Sequence, residues 1–311
     1  MNIYYNNNYI DIVSKLETAG KSDKFELKTD NGFVSYRFVK RDLGAIFNHL
    51  PMNKYFDIVT PFDYGGIEYS NEYLLSEFFK QFEIFCNENN IISSFIKFAP
   101  TYKFNFEIIK DFMQIKKVND LIYINLEEDY KNNYSRGRKS NINKIKKLNY
   151  TIRNIEVKSF YTLYLESMDR NLANEYFYFD QSTLEQLVLK KFARIFAIYI
   201  DDILVSSIMV IDESNCSYYF LGATYTNRLS INANALLFDE VFQILKNEKK
   251  KKFFLGGGRE GVYEFKRRFS NKTLPYYIGS KIFNHNIYQE LVKYNKMEKN
   301  DFFPQYRNKT I

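Results

Sequence analysis

In its last third the chain carries an apolar strand that runs into three glycines and then an amphipathic helix, Phe253-Phe254-Leu255-Gly256-Gly257-Gly258-Arg259-Glu260-Gly261-Val262-Tyr263-Glu264-Phe265-Lys266-Arg267-Arg268-Phe269. Consecutive glycines let the backbone turn tightly and let another group approach it closely. Phe265 and Phe269, four residues apart, share one helical face that can dock on a sheet. Lys266 then lies at the edge of that dock. Two readings fit: a glycine turn followed by a core helix with a solvated lysine, or a fixed ammonium beside a backbone-lined gap, suited to stabilising an oxyanion.

With 45% hydrophobic and 26% charged residues, the balance is that of a folded protein, and 311 residues suffice for two domains. The 27 tyrosines and 30 phenylalanines, with no tryptophan and an abundance of Asn and Lys, read in part as a coding bias. A formal net charge of +7 favours anionic partners such as nucleic acid, nucleotide-linked sugars or an anionic lipid surface. Cys86 and Cys216 belong to no CxxC or Cys/His cluster, so neither a disulfide framework nor a metal site is expected. The two histidines, His49 and His285, neighbour no other triad member in sequence, which ranks a Ser/His/Asp or Cys/His nucleophile last. The start of the chain lacks a signal-peptide pattern, and no apolar run approaches the length of a membrane span. A cytoplasmic protein is expected, with peripheral contact at the inner face of the membrane as an option.

Periodicity gives a mixed α/β order. Strand-like runs at Phe25 to Lys28, Val34 to Val39 and Tyr55 to Thr60 end in the turn Pro61-Phe62-Asp63-Tyr64-Gly65-Gly66. A helix from about Glu72 to Asn87, a strand at Ile91 to Phe98, a short helix at Phe104 to Phe112 and a strand at Leu121 to Leu126 complete a first domain, placed at 1–130. The acid-free segment Tyr134 to Lys147, with Ile142, Ile145 and Leu148 at helical spacing, reads as a basic linker helix over 131–148, either solvated or phosphate-binding. Residues 149–311 form the second domain: strand Tyr150 to Ile155, helices Phe160 to Met168 and Leu184 to Leu189, and a hairpin of Ile195 to Ile200 and Ile203 to Ile211 about Asp201-Asp202. Strand Ser217 to Gly222, helix Ile231 to Leu245, strand Phe253 to Leu255, the Phe265 helix and strand Tyr276 to Phe283 follow. The tail from Lys293 to Ile311 receives no role.

This second order resembles the GNAT acyltransferase fold, and its end resembles something narrower. Gly256-Gly257-Gly258 followed by Phe265-Lys266-x-x-Phe269-Ser270 is similar to the glycine turn and Phe-Lys-x-x-Phe element of the Fem family, the peptidoglycan-bridge aminoacyltransferases, and their FemAB-like relatives. Tyr55 to Gly66 is similar to that family's Pro-Tyr-x-Tyr-Gly-Gly segment, and Met168-x-Arg170 with Tyr176-Phe177-Tyr178-Phe179 to its Met-x-Arg and aromatic run. The resemblance covers nearly the whole chain. Phe62 stands where Tyr is usual, and Lys97-Phe98-Ala99-Pro100 replaces an Arg-Phe-His-Pro pattern.

The resemblance implies an α/β (α+β) chain of two GNAT-like domains packed side by side, each a mixed, mostly antiparallel sheet flanked by helices. It implies transfer of an aminoacyl group from charged transfer RNA to an amine of a nucleotide- or lipid-linked cell-wall precursor, with no cofactor or metal. Lys266 would stabilise the oxyanion. Arg170, whose guanidinium fork suits phosphate oxygens, is the candidate for the acceptor's diphosphate or else a surface arginine, and Tyr64, Gly65 and Gly66 either line the acceptor cleft from the first domain or form a plain β-turn. Phe265, Tyr178, Gly257, Gly258 and Arg228 complete the candidate substrate-binding residues. In ordinary GNAT enzymes an Arg/Gln-x-x-Gly-x-Gly/Ala loop receives the coenzyme A pyrophosphate at a helix start. The matching Arg228-Leu229-Ser230-Ile231-Asn232-Ala233-Asn234-Ala235 fills both glycine positions, which argues against that cradle, although Arg228 and the helix start could bind some anion; a plain helix start capped by Ser230 fits equally. Two alternatives stay open: an N-acyltransferase using acetyl-coenzyme A or another acyl-coenzyme A as co-substrate on an amino sugar or amine, and a non-catalytic module binding nucleic acid through Arg136 to Lys147.

Overall fold

The computed structural model describes residues 2–295 and 302–307. It divides into two compact units, one of residues 1–118 with 275–311 and one of residues 119–274.

The first unit begins with helix α1 (Asn7–Val13), capped by the Asn6 side chain on the Tyr9 amide. Strands β1 (Gly20–Thr29) and β2 (Gly32–Asp42) form a long antiparallel hairpin, and β2 also pairs β3 (Phe56–Val59) and the short β4 (Ile67–Tyr69). Helix α2 (Leu75–Glu88) then buries Leu75, Phe78, Phe79, Phe82 and Cys86, a spacing of three and four that defines one face. It returns the chain to β5 (Ile91–Lys97), parallel to β3. The short helix α3 (Phe106–Ile109) precedes β6 (Gln114–Asn125), whose second half belongs to the other unit.

The second unit continues with α4 (Arg136–Ile145), β7 (Tyr150–Asn154), α5 (Val157–Arg170) and α6 (Gln181–Leu189), the last capped by Asp180 on the Thr183 amide at 2.8 Å. Strands β8 (Ala193–Ile200) and β9 (Ile203–Asp212) are joined by Asp201 and Asp202 at φ 51° and 60°. Two left-handed residues in a two-residue loop match the twist of the strands they connect. Next come β10 (Cys216–Thr224), α7 (Ala233–Asn247), β11 (Lys252–Gly256) and α8 (Glu260–Arg267). The strand order is β6-β11-β10-β9-β8-β7, all antiparallel except β10 with β11. Its core joins Ile122, Ile124, Ile142, Ile145, Phe196 and Ile208 to Phe238, Phe242, Phe253 and Phe269.

The chain then returns to the first unit. Strand β12 (Thr273–Ile282) pairs β5 antiparallel, from Ile278 opposite Lys97 to Ile282 opposite Ser93, and α9 (His285–Tyr294) packs Tyr288, Leu291 and Val292 with Leu43, Phe47 and Ile92. This differs from the sequence division, which put 149–311 in one domain and ended the first at 130. Alternation in a strand tells which face is buried but not which partner it joins. In each unit a hairpin leads to a strand that, after one helix, is paired in parallel by the next: β1-β2-β3-α2-β5 and β8-β9-β10-α7-β11.

The expected linker helix is α4, part of the second unit's core. Ile142 and Ile145 are buried, Lys146 bonds Asp239 on α7 at 3.1 Å and pairs Glu240 at 3.3 Å, and Arg138 is buried. Arg136, Lys139, Lys144 and Lys147 remain exposed.

Candidate active site

Strands β10 and β11 pair through three rungs, Cys216 with Lys252, Ser217 with Phe253 and Tyr218 with Phe254, and then stop. Both change register at that point. On β10 the pairing with β9 shifts between Tyr219 and Leu221, and on β11 the pairing with β6 shifts between Phe254 and Gly256. A bulge bends its strand and raises local twist, so two bulges side by side let parallel neighbours diverge. The result is a wedge, with Tyr219 following the last rung on one wall and the glycine turn at the end of the other.

The glycines shape that turn unequally. Gly256 and Gly258 have φ of 76° and 141°, and a Cβ on Gly258 would lie 2.9 Å from Cγ1 of Val262. Gly257 has ordinary room, since a Cβ there would meet Leu121 at 3.5 Å. Its contribution is its carbonyl, which accepts a 2.6 Å hydrogen bond from Lys266 Nζ.

Lys266 is only 6% exposed, so the reading of a solvated lysine is excluded. Its ammonium lies 5.0 Å from the centre of the Tyr219 ring, within cation–π range. It also stands in the last turn of α8, where the helix dipole favours a cation. Burial pushes the Tyr219 phenol up to about 12, so it stays protonated and presents a neutral ring. A Cβ on Gly222 would fall 2.6 Å from the Tyr219 hydroxyl, so the absence of a side chain at Gly222 leaves the space the ring occupies.

Of the other candidates of this unit, Phe265, Arg170 and Tyr178 have partners of their own. Phe265 packs edgewise on Phe269 and tilted on Phe238, at ring separations of 5.6 and 5.8 Å, as a docking residue of α8. Arg170 sits at the end of β10, donating to the Thr224 carbonyl at 2.7 Å, the Thr226 hydroxyl at 3.0 Å and the Ser167 hydroxyl at 3.2 Å. Tyr178 is exposed and donates to Asp169 at 2.9 Å. Arg228 is half-buried in the 3₁₀ turn Thr226–Ile231 and has no ion pair among the described residues. That turn corrects the expected Ser230 cap: α7 starts at Ala233, after Asn232 in the left-handed region at φ 57°, and no side chain caps it. Among the described residues no cluster of metal-ligating side chains occurs, and the Cys216 thiol is pushed up to about 12 by burial and Glu213.

No protein-family model matches the chain, and no curated protein does. Solved structures do match. The crystal structure of FemX matches over 91% of this chain and 93% of its own, at 12% identity and a TM-score of 0.69. The chain shares its fold with FemX. The C-terminal domain of a putative lysylphosphatidylglycerol synthetase from Agrobacterium fabrum matches over 85% of both chains at 12% identity, TM-score 0.55. A tandem GNAT protein from the clavulanic acid biosynthesis pathway matches over 89% of this chain and 88% of its own, at 8% identity and 0.53. At such identities the likeness is one of fold, a FemX-like, GNAT-type α/β architecture with mixed sheets flanked by helices.

Tyr64, Gly65 and Gly66 belong to the first unit of this FemX-like fold. The Tyr64 ring is edge-on to Tyr4 and Tyr276 at 5.7 and 5.6 Å, and burial followed by Asp63 pushes its phenol upward. Gly65 exchanges backbone bonds with Lys97 and Ala99. Gly66, at φ 124°, leaves space for the Phe104 ring, 2.7 Å from where a Cβ would sit. Sequence reading missed Tyr219. The available signal was a glycine three residues downstream inside a strand, which marks close approach of another group.

Proposed function

We propose that this chain is an acyltransferase, a Fem-like aminoacyltransferase that moves an aminoacyl group from charged transfer RNA to an amine of a cell-wall precursor. The observation that carries this reading is Lys266, a buried ammonium fixed between the Gly257 carbonyl and the Tyr219 ring where β10 and β11 part. The FemX-like fold and the excess positive charge agree with it.

The chemistry needs no enzyme nucleophile. The acceptor amine attacks the ester carbonyl, and the carbonyl oxygen becomes an oxyanion that the Lys266 ammonium stabilises. Collapse re-forms the carbonyl, breaks the bond to the ribose oxygen and passes the amine proton to that leaving oxygen. A donor fixed before reaction is worth more than a mobile one, because it does not reorganise as charge develops. Of Arg170's five N–H donors, three are engaged at Thr224, Thr226 and Ser167. Nε–H and one Nη2–H remain for an acceptor diphosphate. The acceptor would be nucleotide- or lipid-linked, and the reaction cytoplasmic or at the inner membrane face.

One feature favours a second reading, in which an acyl-coenzyme A is the donor: the uncapped start of α7 beside Arg228, which has no ion pair among the described residues, offers amides and a cation to a pyrophosphate. The deciding experiment gives the purified protein charged transfer RNA and acetyl-coenzyme A in parallel, with a nucleotide-sugar peptide and simple amino sugars as acceptors, and reads products by mass. An RNA-dependent aminoacyl shift is the expected result. An acetyl shift instead would replace the donor, and no shift with either would remove the enzymatic reading.

A further inference from the structure

Arg138, on the helix taken from sequence as a linker, is 3% exposed and has no carboxylate partner among the described residues. Its guanidinium lies against two rings, one on α8 and one two residues past its end, 4.3 Å from the centre of Phe265 and 4.1 Å from that of Phe269. Nη2 donates to the Phe265 carbonyl at 2.9 Å, and Nε is buried without a hydrogen-bond partner. Next to it the Ser135 amide donates to the Arg268 carbonyl at 2.9 Å. The start of α4 therefore grips the carbonyl end of α8 at two points that flank Lys266.

A buried cation without a counter-ion is an expensive way to fill space. Burial, reinforced by Arg268, pulls this guanidinium down to about 10. An apolar side chain of similar length would fill the space against the two phenylalanines without that penalty. What it could not do is bond the carbonyl of the residue before Lys266 while placing a cation against both rings. The planar guanidinium does both, and a lysine cannot.

We propose that Arg138 is a positioning residue: it fixes the last turn of α8 in rotation and depth, and so holds the Lys266 ammonium on the Gly257 carbonyl and over Tyr219. This rests on the reading of Lys266 as the reactive cation, while the grip itself is read from geometry that is independent of any substrate.

The test compares Arg138→Met and Arg138→Lys with Phe160→Leu, a core substitution on α5 that lowers stability without touching α8. Acylation of Lys266 by an N-hydroxysuccinimide ester of acetic acid is followed by peptide mass spectrometry under native conditions. Arg138→Met should raise the rate at Lys266 about tenfold, Arg138→Lys by less, and Phe160→Leu not at all. In transfer assays Arg138→Met should lower kcat with little change in KM, and Arg138→Lys should recover part of it. Equal Lys266 labelling in Arg138→Met and Phe160→Leu would overturn the proposal, as would full kcat in Arg138→Met. If Arg138→Lys alone folds, labelling as slow as in the wild type would also overturn it. If the wild-type protein transfers no acyl group while the labelling difference persists, the acyltransferase reading fails and the positioning of Lys266 stands.

Discussion

The Lys266 ammonium faces the Tyr219 ring at 5.0 Å, and the Tyr219 hydroxyl occupies space that any side chain at position 222 would take. The three residues form one stack from α8 into β10. Gly222→Ala should displace the ring and the lysine with it, costing about 1–3 kcal/mol as overpacking does. Turnover should fall with it. Tyr219→Phe, which keeps the π face, should retain most turnover, whereas Tyr219→Leu should lose roughly as much as a cation–π contact is worth, about 1–2 kcal/mol. Equal rates for the Phe and Leu variants would remove the ring from the mechanism. Lys266→Met should cost on the order of 10²–10³ in kcat, with acceptor binding retained.

Within one loop and helix, two glycines should respond oppositely. Gly258 is left-handed, with Val262 2.9 Å from where a Cβ would sit, whereas nothing lies within 4 Å of a Cβ on Gly261 inside α8. Gly258→Ala should lower thermal stability by roughly 1–3 kcal/mol, and Gly261→Ala should raise it by about 0.5–1 kcal/mol through helix propensity. Calorimetry on the two variants checks both signs.

The first unit should be acid-sensitive through its C-terminal segment. Asp57 is fully buried and forms two-point ion pairs with Arg41 and Arg307, while Tyr306 donates to it at 3.1 Å. Burial alone would raise its carboxyl, but Arg307 and then Arg41 outweigh it and hold the group below the ordinary value. A depressed folded value gives stability that is present above the unfolded value, about 3.9, and is lost as pH falls through the folded one. Arg307→Met removes the first of those cations, so the acid midpoint should move upward and stability at pH 7 should fall by about 1–3 kcal/mol, less than for a pair left with no partner. Thermal melts from pH 7 to pH 3 report both; an unchanged acid limb would show that Arg41 alone sets it.

The basic helix should separate into two behaviours. Lys146 serves Asp239, which is 2% exposed, so Lys146→Gln should destabilise by about 1–3 kcal/mol, Lys131 at 3.6 Å offering partial compensation. Neutralising Lys139, Lys144 and Lys147 together should leave the melting temperature within a degree or two. If transfer RNA touches this face, the same triple change should weaken binding and flatten its salt dependence by roughly one unit of slope for each phosphate that the helix no longer neutralises. An unchanged slope would exclude the helix as an RNA site.

Much of this is legible along the chain. The faces of α2, α7 and α8, the Asp201-Asp202 hairpin and the glycine turn all follow from repeats of two and 3.6 residues or from single residues with special backbone freedom. The short α1, β4 and α9 are not. α1 and β4 are too short to accumulate periodicity, with seven and three residues. The start of α7 is misread from sequence because Ser230 looks like a cap, while the chain instead makes a 3₁₀ turn and enters the helix through Asn232.

The sequence by itself determined the order of most of the longer elements, the two α/β units as a class, and Lys266 as the lysine beside the glycine turn, because each depends on near neighbours. Tertiary structure decided what surrounds that lysine. Tyr219 reaches it across 47 positions, and Arg138, read as part of a solvated or phosphate-binding surface, is a buried clamp. It likewise decided that the chain beyond residue 275 returns to the first unit, through β12 on β5 and Arg307 on Asp57. Partner choice between strands and the burial of a charge depend on groups far apart in the chain, where no local period records them.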